Sequence, residues 1–214
     1  ALDEAFAMPG PDVNLKTELG DVYASYLPER KNESDSYLVA PEGNLKEEKR
    51  LIDACRDALE QGLKKWPELV IMGQDVAEYG GVFKITEGFL EQFGKERIRN
   101  TPICESAIVG IALGLAPKGV KSVVEMQFAD FVSCAFNQII NNLAKIHYRW
   151  GVKADIVIRM PTGAGVAAGP FHSQSTEAWF AHTPGLKVVY PSNPHDAKGL
   201  LLASIEDPNP GLFF

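Results

Sequence analysis

Cysteines are scarce and long apolar runs are missing, and each of these absences argues against a class of protein. The three cysteines, Cys55, Cys104 and Cys134, lie far apart among 214 residues and form no C-x-x-C pair. This spacing argues against a zinc site or a disulfide framework and is typical of a reducing compartment. No apolar run reaches the ~20 residues of a membrane-spanning helix. The formal net charge of −7 argues against a broad basic surface for nucleic acid, so we expect no membrane and no nucleic-acid partner.

The composition that is present is typical of a soluble globular protein. Hydrophobic residues make up 45% and charged residues 23% of the chain, which is ordinary for a domain with its own core. No helical or strand period persists in residues 1–43, so we predict a linker or arm there and one folded domain over residues 44–214. An apolar run at residues 211–214 looks like the start of a further strand, and we expect the chain to be a fragment.

Strand and helix patterns alternate from Asn44 onward. Asn44 and Glu47 have the spacing of a capping box at the start of a helix, which Pro67 ends. The alternation that follows predicts an α/β fold with a mainly parallel sheet and helices on both faces. The predicted strands cover residues 69–72, 98–103, 122–128, 156–160 and 186–190, and the predicted helices cover residues 86–93, 105–115 and 129–150, with a last helix that has Pro194 in its first turn.

Glu105 lies between a predicted strand and a predicted helix of small and apolar residues. Parallel sheets place their chemistry at such strand ends. An apolar environment favours the protonated acid, whereas a helix N-terminus favours the carboxylate. From the residues alone, a catalytic acid and a carboxylate that only caps the helix are equally acceptable. Gln127 and Asp130 lie at another strand end and need hydrogen-bond partners if they are buried.

His172 lies in a second candidate segment, the glycine-rich loop at residues 160–174. Glycine of this density is typical of a mobile lid or of backbone that approaches a ligand closely. Histidine is the residue in this loop best able to move protons near neutral pH. A surface histidine on a long connection is the simpler alternative.

Six segments, in this order, carry a resemblance to a known family: residues 73–76 with 79–83 (GQDV, YGGVF), 102–105 (PICE), 127–131 (QFADF), 169–175 (GPFHSQS), 178–189 (AWFAHTPGLKVV) and 196–201 (DAKGLL). They resemble the β-subunit of the decarboxylating component of 2-oxo acid dehydrogenase complexes, a transketolase-like family that uses thiamine diphosphate. The resemblance covers residues 45–214 and implies the pyrimidine-domain type of transketolase fold.

The resemblance implies roles for five residues. Glu105 would hydrogen-bond the pyrimidine nitrogen of thiamine diphosphate and promote its imino form, while Ile103 and Gln127 would contact the cofactor. Phe131 stands where relatives often carry tyrosine, so the apolar ring face is kept and a hydroxyl contact is not expected. His172 would handle charge during acyl transfer to a lipoyl group. Glu105 and His172 are therefore the implied catalytic residues.

The resemblance also implies two cations. Mg²⁺ would be held by the partner half, because the family's G-D-G motif with a following asparagine does not occur in this chain. A potassium ion would lie near the last strand, where Asp207 and Asn209 offer side-chain oxygens. The positions that match the family's potassium ligands are the backbone of Ala154, Ile156 and Val157, followed by Ser204, Asp207 and Asn209.

The implied partners supply what this chain lacks. An α-subunit or α-like half would complete the cofactor site, a second β-subunit would form a dimer or heterotetramer, and a lipoyl acyltransferase would accept the acyl group. Residues 1–43 resemble an α-subunit tail that continues into a β-subunit, which implies a fused parent, and the family's C-terminal domain is absent. We expect the enzyme in the bacterial cytoplasm or the mitochondrial matrix, and we expect the isolated fragment to be inactive.

Two alternative functions remain open at this stage. Another transketolase-like enzyme, such as a deoxyxylulose-phosphate synthase, would share the cofactor, although the residues from His172 to Leu186 favour the dehydrogenase family. A non-catalytic assembly domain is the second alternative, because small residues at Gly110, Ala112 and Gly114 permit close helix contacts. The substrate stays open among pyruvate, branched-chain 2-oxo acids and acetoin.

Overall fold

The computed structural model describes residues 2–10, 13–25 and 48–214. The capping residues predicted at Asn44 and Glu47 lie outside the described residues, but the predicted helix start is wrong, because residues 48–50 are not helical and the helix begins at Leu51 with Arg50 as its N-cap. Among the helices of these three ranges, none combines the length and the apolar character needed to cross a membrane.

Two short helices, α1 (Leu2–Ala7) and α2 (Leu15–Gly20), lie in the region where the sequence indicated no regular element. Asn14 precedes α2, and its side-chain oxygen accepts a hydrogen bond from the backbone N–H of Lys16 at 3.0 Å. This is the contact by which asparagine caps a helix. A six-residue helix is too short to be stable alone in water, so α2 depends on its contacts with the rest of the chain.

Six strands form one sheet, and every pair of neighbouring strands is parallel. The strand order is β2-β1-β3-β4-β6-β5, and the predicted α/β fold with a parallel sheet is confirmed. The strands are β1 (Leu69–Gly73), β2 (Ile98–Asn100), β3 (Lys121–Glu125), β4 (Ile156–Arg159), β5 (Lys187–Val189) and β6 (Gly211–Phe213).

Four strands end earlier than the sequence predicted, and all four lose residues at the carboxyl end. The strand β2 ends at Asn100, and β3 ends at Glu125, so Ile103 and Gln127 lie in loops instead of strands. Apolar character continues beyond the last ladder hydrogen bond, which is why the sequence pattern overestimated the strand lengths. The residues released from the sheet form the edge where parallel folds bind ligands.

Helices cover both faces of the sheet, and each face has its own hydrophobic core. Because side chains alternate along a strand, Ile71 belongs to one core and Met72 to the other. On the Ile71 face α3 packs against α7, and on the Met72 face α5 packs against the chain that follows β3. The helices are α3 (Leu51–Lys65), α4 (Phe89–Phe93), α5 (Glu105–Leu115), α6 (Ile146–Trp150) and α7 (Pro194–Glu206).

The prediction of one regular α-helix over residues 129–150 is wrong. The chain is helical there but changes type, because asparagine and phenylalanine are weak helix formers and recur along it. The predicted stop at Gly151 is confirmed, since this glycine ends α6 with φ of 65°. The successive pieces are a 3₁₀-helix (Ala129–Ala135), a π-helix (Gln138–Asn142), a second 3₁₀-helix (Leu143–Lys145) and α6.

Glu125 and Arg159 form a buried ion pair at the carboxyl ends of β3 and β4. The two residues are direct neighbours in the parallel register, and their side chains are joined by a salt bridge. Glu125 is 3% exposed and Arg159 is 5% exposed. Removal of one partner would leave the other charge buried without compensation, which is far more costly than the loss of an exposed pair.

We predict that Arg159→Leu lowers the free energy of unfolding by about 3–5 kcal/mol, as measured by urea denaturation. The double variant Glu125→Leu/Arg159→Leu should recover part of this loss, because no unpaired charge remains. Arg50→Ala is the matched control, since Arg50 pairs with Asp53 at the surface and should cost under about 1 kcal/mol. Equal losses for Arg159→Leu and Arg50→Ala would contradict the prediction.

Candidate active site

The parallel sheet brings the predicted site residues to one edge. Strands of one direction end at the same edge, so the loops after β1, β2, β3 and β4 lie side by side in the order β2-β1-β3-β4. Ile103 and Glu105 follow β2, Gln127 and Phe131 follow β3, and His172 lies in the loop after β4. All five residues that the sequence assigned to catalysis or cofactor binding therefore lie at the carboxyl edge of the sheet.

Glu105 is the first residue of α5, and its side chain is buried, with 9% exposed. Its Oε1 accepts a hydrogen bond of 3.1 Å from Nε2 of Gln74, and Gln74 is itself 6% exposed. This bond leaves Oε2 available for a further partner. The structure thus presents a shielded carboxylate that is held by an amide from the end of β1.

Gln74 reaches Glu105 because the chain before it passes very close to β3. A side-chain carbon at Gly73 would lie 2.9 Å from the carbonyl oxygen of Glu125. Only glycine permits this approach without a displacement of the backbone. Gly73 also accepts a hydrogen bond from the backbone N–H of Thr101 at 2.9 Å, which positions the loop that leads into α5.

Ile103 lies in that loop and is 83% exposed. Its neighbour Cys104 is also exposed, whereas Glu105 one residue later is buried. One exposed apolar side chain is ordinary on a protein surface; Ile103 matters because it lies two residues before the buried carboxylate of Glu105. A heterocycle with an apolar face and a proton-bearing nitrogen is chemically complementary to these two side chains.

An aromatic cluster of Phe83, Phe128, Phe131 and His172 lies at the same edge. The His172 ring packs edge to face on Phe128 at 4.9 Å and on Phe131 at 5.3 Å between ring centroids. Phe128 contacts Phe83 at 5.7 Å in the same manner. These contacts hold a half-buried imidazole on an apolar support, so His172 is placed by packing and is not a freely moving surface histidine.

The loop that carries His172 is tied to the chain after β3 by Asp130. The Asp130 Oδ1 accepts hydrogen bonds from the backbone N–H of Gln174 at 3.2 Å and from its Nε2 at 2.9 Å. The base of the loop is closed where Gly163 N–H donates to the Gln174 carbonyl at 3.1 Å. Asp130 is buried and has the partner that its burial requires.

Gln127 faces the loop after β1. Its Nε2 donates to Oδ2 of Asp75 at 3.4 Å, and Asp75 has a left-handed backbone with φ of 57°. A left-handed conformation in a residue other than glycine is strained and is concentrated at functional sites. The cofactor contact expected of Gln127 stays a prediction.

The six positions predicted for potassium lie together at the opposite, amino edge of the sheet. The backbone N–H of Ala154 donates to the Pro208 carbonyl at 3.0 Å, and that of Ile156 to the Ala154 carbonyl at 2.8 Å. Val157 pairs within the sheet, and the hydroxyl of Ser204 donates to the Leu200 carbonyl at 2.8 Å.

The carboxylate of Asp207 and the amide oxygen of Asn209 already have donors. Asp207 is paired with Lys187, and Oδ1 of Asn209 accepts the backbone N–H of Ala24 at 2.7 Å. The described arrangement therefore does not fit a potassium ion unless these donors move, and potassium stays a prediction from the resemblance. In the described part of the chain, histidine, cysteine and carboxylate side chains form no group of three that could hold a metal.

Sequence reasoning assigned no role to Gln74, Asp75, Phe83 and Phe128, although all four lie in segments that carry the resemblance. Gln74 and Asp75 directly follow a buried strand that ends in glycine. Their position at a strand end was a signal in the sequence that could have indicated a role in the site. The partners of these residues are distant in sequence, since Gln74 and Glu105 are 31 residues apart. Spacing alone does not show such pairs.

We predict that Asp130→Ala loosens the loop at residues 160–174, because both hydrogen bonds to Gln174 are lost. Amide hydrogen exchange at Gln174 should become at least ~10-fold faster, in line with the loss of a charge-assisted hydrogen bond. Asp130→Asn keeps an acceptor oxygen and is the matched control, which should retain most of the protection. Unchanged exchange in Asp130→Ala would show that the loop is held by other contacts.

Residues 47–214 match the family model described as transketolase, pyrimidine binding domain. A solved structure described as "Split gene transketolase, inactive beta4 tetramer" has a TM-score of 0.61 at 20% identity, over 76% of this chain and 49% of that one. At this identity the likeness shows the shared fold.

Curated relatives match about three quarters of the chain. The chain is 50% identical over 167 residues to 2-oxoisovalerate dehydrogenase subunit beta of Bacillus subtilis, covering 76% of this chain and 50% of that protein. It is 49% identical to 2-oxoisovalerate dehydrogenase subunit beta 2, mitochondrial, of Arabidopsis thaliana, covering 77% and 46%. Pyruvate dehydrogenase E1 component subunit beta of Chaetosphaeridium globosum is 43% identical, covering 77% and 51%.

The chain spans about half the length of these relatives. The resemblance that the sequence strings indicated is confirmed at the level of the family. Because the family model matches well over half of the chain, the protein belongs to the transketolase pyrimidine-binding-domain family.

Proposed function

We propose that this chain supplies the pyrimidine half of a thiamine-diphosphate site in an enzyme that oxidatively decarboxylates a 2-oxo acid. The observation that carries the proposal is the buried carboxylate of Glu105, held by Gln74 at the carboxyl edge of the sheet. Relatives named as β-subunits of 2-oxoisovalerate and pyruvate dehydrogenases support the reaction class.

The residues present fit the pyrimidine ring of the cofactor. Oε2 of Glu105 is available to share a proton with a ring nitrogen, while Gln74 holds Oε1 and sets the direction of the carboxylate. The exposed side chain of Ile103 would lie against the ring, and Phe131 would add an apolar surface. When bound, thiamine diphosphate supplies the carbon nucleophile and the electron sink for decarboxylation.

His172 is proposed as the residue that handles charge and protons at the substrate. An imidazole can donate a proton from one ring nitrogen and accept one at the other, and the contacts with Phe128 and Phe131 hold the His172 ring in one orientation. Transfer of the acyl group to a lipoyl carrier is part of the proposal. Glu105 and His172 are the proposed catalytic residues, because each would take part in a proton transfer.

The proposal requires partners. An α-subunit or α-like half would hold Mg²⁺ and the diphosphate, a second β-subunit would complete the assembly, and a lipoyl acyltransferase would take the product. The exposed Ile103 side chain, two residues before Glu105, is the surface that the α-like half would cover. A fused parent chain, and a location in the bacterial cytoplasm or the mitochondrial matrix, remain predictions.

We predict that Glu105→Ala, in the enzyme completed by its α-like half, lowers kcat by at least ~100-fold, the usual contribution of a positioned proton-transfer group. Turnover would be measured with pyruvate, 2-oxoisovalerate and the other branched-chain 2-oxo acids, which also ranks the substrates. Cys104→Ala changes the adjacent exposed residue and is the control that should keep its activity. The circular dichroism and unfolding transition of each variant would show that the fold is intact.

Retained turnover in folded Glu105→Ala would overturn the proposal. Activity with sugar phosphates instead of 2-oxo acids would favour the alternative transketolase-like enzyme. Loss of assembly without any change in chemistry for variants of His172 would favour the non-catalytic assembly domain.

A second test uses alkylation of cysteines and does not depend on turnover. Cys104 is exposed next to Glu105, and Cys55 is buried; burial raises the pKa of the Cys55 thiol, so the reactive thiolate is rare there. In the completed enzyme we expect iodoacetamide to modify Cys104 and to leave Cys55 unmodified. Thiamine diphosphate with Mg²⁺ should slow the reaction of Cys104 several-fold, while an equal concentration of pyrophosphate should not. Equal rates with and without the cofactor would place the cofactor elsewhere.

A further inference from the structure

Residues 15–24, named here the strap, lie on the domain although they precede the part of the chain that matches the family. The strap consists of α2 and the four residues after it. At its end, the backbone N–H of Ala24 donates to Oδ1 of Asn209 at 2.7 Å, and Nδ2 of Asn209 donates to the Ala24 carbonyl at 3.1 Å. One side-chain amide therefore binds both backbone groups of one residue. Ala24 is 4% exposed and Asn209 is 2% exposed.

Asp207 holds the Asn209 side chain in the orientation that this contact needs. Oδ1 of Asp207 accepts hydrogen bonds from the backbone N–H of Asn209 at 2.9 Å and from its Nδ2 at 2.8 Å. The other carboxylate oxygen is paired with Lys187. The Asn209 amide thus uses both of its donors and its acceptor. If the strap left, the Asn209 amide would lose one donor and one acceptor and would exchange them for water.

Three further contacts extend the strap across the domain. The hydroxyl of Tyr23 donates to the Leu186 carbonyl at 3.2 Å, and the ammonium of Lys187 lies 5.8 Å from the Tyr23 ring centroid. Farther along, the hydroxyl of Tyr148 donates to the carboxylate of Glu18. Between α2 and the domain a mainly apolar cavity of about 350 Å³ remains, lined by Glu18, Leu19, Val22, Lys145, Tyr148, Thr183 and Pro184.

We infer that Asn209 is a main-chain clamp that docks the strap on the amino edge of the sheet, opposite Glu105. Asn209 binds only backbone atoms of residue 24. The contact therefore requires an N–H and a carbonyl at this position but no particular side chain. Its position follows from the fold, because Asn209 lies two residues before β6 and Leu186 lies directly before β5. In terms of the proposed function, on which this one consequence rests, residues 15–24 are held at the edge opposite Glu105, so these ten residues do not cover the surface where the second half of the site would bind.

The clamp also uses the oxygens that the resemblance assigns to potassium. In the described structure the Asn209 oxygen binds an N–H and the Asp207 carboxylate binds an ammonium. The N–H of Ala24 thus occupies the Asn209 oxygen, and the Lys187 ammonium occupies the Asp207 carboxylate, where a potassium ion would bind. Docking of the strap and binding of a monovalent ion at Asp207 and Asn209 exclude each other.

The test compares Ala24→Pro with Ala24→Gly in the full chain. Proline has no backbone N–H, so Ala24→Pro removes the donor to Asn209, whereas Ala24→Gly keeps it. We expect amide hydrogen exchange in residues 15–24 to be at least about tenfold faster in Ala24→Pro and little changed in Ala24→Gly. Asn209→Ala should reproduce the effect of Ala24→Pro from the other side of the contact.

Titration of Tyr148 gives an independent measure of docking. The hydrogen bond to Glu18 and the charges of Glu18 and Asp21 raise the pKa of the Tyr148 phenol, so this pKa should fall toward its ordinary value when the strap is released. Lys145 also faces this cavity and is retained in all variants. The absorbance of tyrosinate in Ala24→Pro, compared with that in Ala24→Gly, shows the change, and a Tyr148→Phe variant identifies the signal.

Unchanged exchange in Ala24→Pro would overturn the clamp. Equal loss of protection in Ala24→Gly would show that packing of the Ala24 methyl group, not main-chain recognition, holds the strap. Replacement of sodium chloride by potassium chloride at constant ionic strength should leave protection unchanged, and a loss specific to potassium would assign the oxygens to a cation instead. None of these readouts depends on turnover, so failure of the clamp and failure of the proposed function are distinguishable.

Discussion

The parallel direction of all six strands is the constraint on which the rest of the structure depends. Because every strand ends at the same edge, the loops that follow β1 to β4 meet there, although their residues are separated by up to a hundred positions in the chain. Helices on both faces exclude water from the sheet and close the two cores. The carboxyl edge is the part of the sheet where a ligand can bind, because the backbone groups there are not engaged in hydrogen bonds between strands.

The carboxyl edge combines a shielded acid with an uncovered apolar surface. Glu105 is buried and held by Gln74, whereas Ile103 is 83% exposed two residues earlier. A carboxylate that shares a proton with a heterocycle works best away from water, yet the heterocycle itself has to enter. Half of an enclosure, completed by a second surface, would satisfy both demands, as the proposed division of the cofactor site requires.

The amino edge has a different role, because its polar groups bind the chain itself. Asp207 and Asn209 are satisfied by Lys187 and by the backbone of Ala24. The same fold thus keeps one edge available for a ligand and closes the other with its own upstream segment. The separation of the two edges by the length of the strands allows both contacts to be made without interference.

The sequence by itself determined the class of fold, the helix that begins at Glu105 and the position of each candidate residue at a strand end, because periodicity, caps and strand-helix alternation are local signals. Only the tertiary structure decided the partner of Glu105, the aromatic support of His172, the irregular helix after β3 and the docking of Ala24 on Asn209. These features depend on which strands become neighbours and on how closely backbones approach. Pairs such as Gln74 with Glu105 are set by the packing of distant segments, and neither composition nor spacing carries that information.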